Sequence, residues 1–177
     1  METPSITQPE FEGTNVRHFL AHRGSVIVKE FREVGKLKGQ YSDSIMVSTL
    51  ILAIVKGTNR NTSYGVKLER TGTESYADTS VLLDFDELNE LMGAFDFIDS
   101  LAANLRSQKC DYTEVAYSTK DNAQFGFYQD KKQQQQAFVK ISPLGELTFL
   151  DLADLVKLKE LLLSAQKHLI TRGAENE

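Results

Sequence analysis

Two stretches of the chain carry apolar residues in alternating steps of three and four, the spacing that puts side chains on one stripe of an α-helix. In the first, these are Leu88, Leu91, Phe95, Ile98, Ala102 and Leu105; in the second, Leu155, Leu158, Leu162, Ala165 and Leu169. The two are entered alike, by Leu83-Asp-Phe-Asp-Glu-Leu-Asn-Glu-Leu91 and by Leu150-Asp-Leu-Ala-Asp-Leu-Val-Lys-Leu158. The shared pattern is Leu-Asp-apolar-x-acid-Leu-x-x-Leu. Asp84 and Asp151 stand where an N-cap belongs, with Glu87 and Asp154 three residues later as capping-box partners. Their carboxylates also suit the positive end of a helix dipole. Gly173 stands where the second helix needs a C-cap glycine.

The residues before each helix read as strands. Tyr64, Val66 and Leu68 alternate with Gly65, Lys67 and Glu69, the period-two pattern of a half-buried strand. Ile45–Lys56 is a longer apolar run, and Val81–Phe85 a short one leading into the first helix. Ser25–Val34 is open between strand and helix, because Ile27, Phe31 and Val34 also fit a helical face. Gly35-Lys-Leu-Lys-Gly39 reads as a turn between strands. In the second half the strands are Tyr112–Thr119, Gln124–Gln129, Gln136–Ser142 and Glu146–Leu150. The breaks between them fall at Lys120-Asp-Asn122, Lys131–Gln135 and Pro143-Leu-Gly145. Ser63-Tyr-Gly65 has a look-alike in Gln124-Phe-Gly126.

The expected architecture is therefore α+β: two antiparallel ββββα halves, about 25–107 and 108–173, sharing one core as a single domain over 25–173. One sheet with one helix leaves apolar surface uncovered, so the halves need each other. Internal duplication is the simplest origin; two ordinary amphipathic helices matching by chance is the alternative. Residues 1–24 read as an arm or short helix and 174–177 as a frayed tail.

Composition narrows the classes. Of the 177 residues, 41% are hydrophobic and 25% charged, enough for a full core without disulfide or metal. The single Cys110 has no internal partner and suits a reducing compartment. Met1–Gly13 lacks the basic and apolar regions of a secretory signal, and the run Ile45–Val55, eleven residues broken by Ser48 and Thr49, is too short to span a bilayer, so a cytoplasmic protein without membrane contact is expected. The net charge is −5 but uneven: Gly13–Arg70 holds ten Lys/Arg against four Asp/Glu. Such asymmetry marks either a polyanion-facing surface or solvated strand faces.

No enzyme, metal or cofactor site emerges. His18 and His22 stand four apart, but Phe19 occupies the place of the general-base Glu of zinc peptidases. Gly35–Gly39 lacks the order of a phosphate loop, no nucleophile elbow is present, and no dinucleotide fingerprint occurs. Asp84, Asp86, Glu87, Glu90, Asp96 and Asp99 are read as caps and solvated faces; a general acid among them would have to be buried beside a substrate. The constellation that remains is cationic residues mixed with rings on the early strands: Lys29, Lys36, Lys38, Lys56, Arg60, Tyr64, Lys67 and Arg70, with Phe31 and Tyr41. Cationic grooves with stacking rings hold single-stranded nucleic acid; Phe31 and Tyr64 facing the core is the other reading. The second helix also carries Leu161, Leu163 and Ile170 off its core stripe, with Val156, which points either to a homo-oligomer interface or to the first helix as a second cover.

Four strands and a helix repeated once across Ser25–Arg172, with segments such as Leu147-Thr-Phe-Leu-Asp-Leu-Ala-Asp-Leu155, resembles the Whirly family of plant single-stranded DNA-binding proteins. The resemblance implies binding of single strands along sheet edges and assembly as tetramers through the helices. That family's Lys-Gly-Lys-Ala-Ala-Leu signature is absent here, and Gly35–Gly39 is only loosely similar to it, so no contact residue is carried over.

Overall fold

The computed structural model of the chain describes residues 13–72, 80–141 and 145–175. A short helix α1 (Asn15–Leu20) precedes strands β1 (Val26–Lys38), β2 (Ser44–Lys56), β3 (Asn59–Thr71) and β4 (Ser80–Asp84) and helix α2 (Leu88–Leu105). Strands β5 (Tyr112–Ser118), β6 (Gln124–Asp130), β7 (Gln135–Lys140) and β8 (Leu147–Leu150) follow, then helix α3 (Leu152–Thr171). Each set of four strands forms an antiparallel sheet in sequence order. The expected α+β architecture of two sheet-plus-helix halves is the observed one. Residues 1–12 of the expected arm, 142–144 at the expected Pro143 turn and the last two residues lie outside the described residues.

The halves share their core by exchanging helices. Helix α3 packs mainly across β1, β2 and β3 of the first sheet and also touches β7 of its own, while α2 packs against β5 and β6 of the second. The buried stripes of both helices join Val47, Val66 and Leu83 to Phe125, Phe127 and Val139 in one apolar cluster. Phe95 of α2 meets Phe125 of β6 at 5.4 Å between ring centroids. Each sheet thus covers its apolar face with the other half's helix.

The apolar run of β2 is long because both its faces are covered, as in strands sandwiched between layers. Its odd-numbered residues face the shared core, whereas Leu50 and Leu52 form a second cluster with Val16 of α1 and Leu82, backed by Phe19 and Leu20. The arm thus contains a helix that lids the outer face of the first sheet.

Ser25–Val34 is strand, and the turn expected at Gly35–Gly39 is instead mostly the end of β1. The register with β2 slips between Glu33 and Gly35, a β-bulge that doubles Val34 and Gly35 onto the core side. A Cβ on Gly35 would lie 2.6 Å from Leu161 Cδ2 of α3, so the end of that leucine would have to move aside. The glycine marks a close approach of helix to sheet, which in sequence looks like turn chemistry. Gly65 and Gly126 also occupy different strands of their sheets, third and second, so the Ser63–Gly65 and Gln124–Gly126 segments are not equivalent.

Helix α3 ends as expected. The Asp151 N–H donates to Asp154 Oδ2 at 3.2 Å within a capping box, and Gly173, at φ +100°, closes a Schellman motif through Ala174 N to Leu169 O and Gly173 N to Ile170 O. Helix α2 does not begin as expected. Its N-cap is Glu87, three residues after Asp84, and no side chain caps it. Asp84 ends β4, and its carboxylate accepts from Asn15 N (2.7 Å) and Val16 N (2.9 Å), capping α1 instead. The buried carboxylate takes the free N–H groups of a helix some seventy residues earlier, a partner that local sequence cannot reveal.

Candidate functional site

Residues directly opposite in neighbouring strands share a face, so the register sorts the basic candidates. Lys29, Phe31, Lys36 and Lys38 of β1 lie opposite Leu52, Leu50, Met46 and Ser44, and Lys67 of β3 lies opposite Ser48. All five therefore stand on the outer face of the first sheet, the face partly lidded by α1. Phe31 is 53% exposed, and the Lys67 ammonium sits 5.7 Å from its ring centroid. Lys67 also pairs with Glu69 at 2.7 Å, and Glu33 shares the face. Lys29, Lys36 and Lys38 are exposed and form no ion pair with any described residue.

The other candidates are elsewhere. Lys56 and Arg60 flank the tip of the β2–β3 hairpin. Tyr64 is on the core side, where its hydroxyl donates to Arg172 O at 3.1 Å. Arg70 is committed inside the protein: it reaches Asp43 Oδ2 (3.0 Å), Thr148 Oγ1 (3.1 Å) and Glu146 Oε2 (2.8 Å), tying the first half to β8. Burial works against this guanidinium's charge, but the hydrogen bonds it donates to Glu146 and Asp43 hold its pKa above the ordinary value.

A feature unread in the sequence lies on the outer face of the second sheet. Tyr112 and Tyr128 stack at 5.9 Å, Tyr128 meets Phe149 at 6.5 Å and 85°, and Phe149 meets Tyr41 at 5.9 Å and 87°. These rings line a hollow of about 680 Å³. Tyr41 comes from the β1–β2 turn and is 72% exposed; its neighbour Gln40 is fixed by a backbone bond from Gln40 N to Phe149 O at 3.0 Å. The available signal was the alternation in β6, where Phe127 and Tyr128 are consecutive and must face opposite sides.

Among the acidic residues, Glu87 is set apart. It is 4% exposed, no side chain reaches its carboxylate with a hydrogen bond among the described residues, and its pKa is raised to about 7, first by burial and then by the charge on Asp84, against the Lys120 ammonium and the Asp84 backbone N–H. Asp86 pairs with Lys120 at 3.1 Å and Asp96 with Lys159. His18 lies in α1 but His22 beyond its end, and the described residues contain no cluster of three or more potential metal ligands. No described helix is long and apolar enough to cross a membrane.

The interface candidates also separate. Leu161 packs on Gly35 of its own chain and Leu163 is half-buried against the core, while Ile170 is 52% exposed. Val156, Leu163 and Ile170 fall seven apart, with Val156 and Ile170 exposed on α3 and Phe97 exposed on α2. Neither the family models, nor the curated proteins, nor the solved structures compared with this chain gave a match.

Proposed function

We propose that the chain is a non-enzymatic binder of single-stranded nucleic acid, and that the strand runs over the outer face of the first sheet. The observation that carries this reading is the trio Lys29, Lys36 and Lys38, without an ion pair among the described residues, on one face with the exposed Phe31 ring. Cations track phosphates while a ring stacks a base, a combination that needs no sequence preference. The repeated order of strands and helix supports descent from a duplicated ββββα unit and a Whirly-like role.

Changing Lys29, Lys36 and Lys38 together to Gln tests it by salt-titrated anisotropy with labelled single strands. Each phosphate neutralised contributes a slope of about −0.7 in log affinity against log salt, so the triple variant flattens the slope by about 2. Paired substitution of Lys56 and Arg60 at the hairpin tip leaves it unchanged. Absence of wild-type binding at low salt, or an unaltered slope in the triple variant, refutes the assignment.

The exposed Val156 and Ile170, on one stripe with Leu163, favour a second reading, self-association through α3. Light scattering then gives a mass above the 19.9 kDa of one chain, reduced to it by Ile170→Glu. A wild-type mass of 19.9 kDa at micromolar concentration removes this reading.

A further inference from the structure

The hollow on the second sheet is a poor place for a nucleic-acid strand. Of its two cations, Arg70 is held by Asp43 and Glu146, and only Lys140 lacks an ion pair among the described residues. Asp43, Glu114 and Glu146 outnumber the two cations, so the lining is net acidic. Apart from the near-parallel pair Tyr112 and Tyr128, the rings do not form the flat platform on which successive bases or sugar rings lie. Phe149 stands nearly perpendicular to both Tyr41 and Tyr128, and all three rings line the hollow. Each ring face carries the negative lobe of its quadrupole, and walls turned toward one hollow add their attraction for a cation that sheds its water easily. A quaternary or methylated ammonium is such a group: it has no N–H to satisfy, an apolar surface that matches the rings, and a charge that the carboxylates balance. Two carboxylates are already oriented, Glu114 by the Tyr112 hydroxyl and Glu146 by Arg70.

We propose that Tyr41, Tyr128 and Phe149 form an aromatic cage for a quaternary or trimethylated ammonium group, on the opposite sheet from the nucleic-acid face and independent of it. The cage closes only because the halves are docked, since Tyr41 comes from the first and the other two rings from the second. Lys140 is the cation of the lining that no carboxylate pairs among the described residues.

The test is a proton NMR titration with choline, with its uncharged isostere 3,3-dimethylbutanol, and with a short peptide bearing trimethyl-lysine beside its unmethylated form. Three ring contacts support a choline dissociation constant of about 1 mM. A cation–π contact is worth a factor of about 2 to 30 per ring, so the isostere binds at least about tenfold more weakly. Tyr41→Ala, in an exposed turn where truncation does not threaten folding, weakens choline by about 2- to 30-fold. Lys140→Gln tightens choline and weakens any anion. If the trimethylated peptide exceeds choline, the ammonium belongs to a protein partner; if the two are equal, it is a free small molecule, and either result upholds the cage. Equal binding of choline and the isostere overturns it. So does the absence of ring shifts at about ten times the expected constant, or a Lys140→Gln variant that binds choline no better. Loss of oligonucleotide binding in Lys29→Gln, Lys36→Gln and Lys38→Gln variants leaves these outcomes untouched.

Discussion

Leu91→Ala and Leu158→Ala will each lower stability by about 2–5 kcal/mol, the range for a fully buried leucine whose cavity cannot collapse. Both side chains are essentially inaccessible, within the first two turns of the two helices. The exchange of helices makes a further demand. Because α3 covers the first sheet and α2 the second, neither sheet keeps its apolar face dry without the other half's helix. Either substitution therefore shifts one common transition, seen alike by far-ultraviolet circular dichroism and by tyrosine signals from Tyr64 in the first half and Tyr117 in the second. Two separate transitions, with each variant moving only one, would show that the halves fold independently. Midpoints unchanged in both variants would overturn the burial of the helical stripes.

What the chain made legible follows from how local each signal is. The helical stripes are written in spacings of three and four, and all of their named positions except Leu105 are buried. The second-half strands were bounded to within about two residues because turns at Asn122 and Gln133, both at positive φ, interrupt short alternating runs. Ser25–Val34 stayed ambiguous because β1 exposes much of both faces, leaving no clean alternation to read. Asp84 was assigned to the wrong helix because its partners, Asn15 and Val16, are far away in sequence. The basic site was half legible. Composition marked the region, but which lysines share a face depends on the bulge at Gly35, which resets the alternation between Glu33 and Lys36. Of the aromatic cluster, the alternation in β6 marks only Tyr128 as facing away from the core, since Tyr41 reaches Phe149 only when the halves dock.

The second large effect lies in the pH dependence of stability. Glu87 sits at the N-terminus of α2, where the helix dipole favours a carboxylate by about 0.3–1 kcal/mol. Burial outweighs this, and the nearby charge on Asp84 adds to it, so the folded-state pKa is about 7. An unfolded glutamate titrates near 4.3. The folded protein thus binds the proton more tightly, and stability falls as pH rises between the two values. Below about pH 4.3 Glu87 is protonated in both states and its contribution is fully present; it is lost as the pH climbs through about 7, a loss of about 4 kcal/mol at most. Carboxylates with lowered pKa values, such as Glu30 against Arg172, act with the opposite sign and below this window. Glu87→Gln keeps the shape and removes the titration. Urea midpoints measured from pH 5 to 8 should decline in the wild type and stay level in the variant. A variant that declines as steeply as the wild type would place the titrating group elsewhere. Asp84 caps α1 and lies beside Glu87, so the same ionisation sets a second buried negative charge next to the carboxylate that holds the lid. Hydrogen exchange at Asn15 and Val16 should therefore quicken above pH 7 in the wild type beyond the intrinsic base-catalysed rise, and by less in Glu87→Gln.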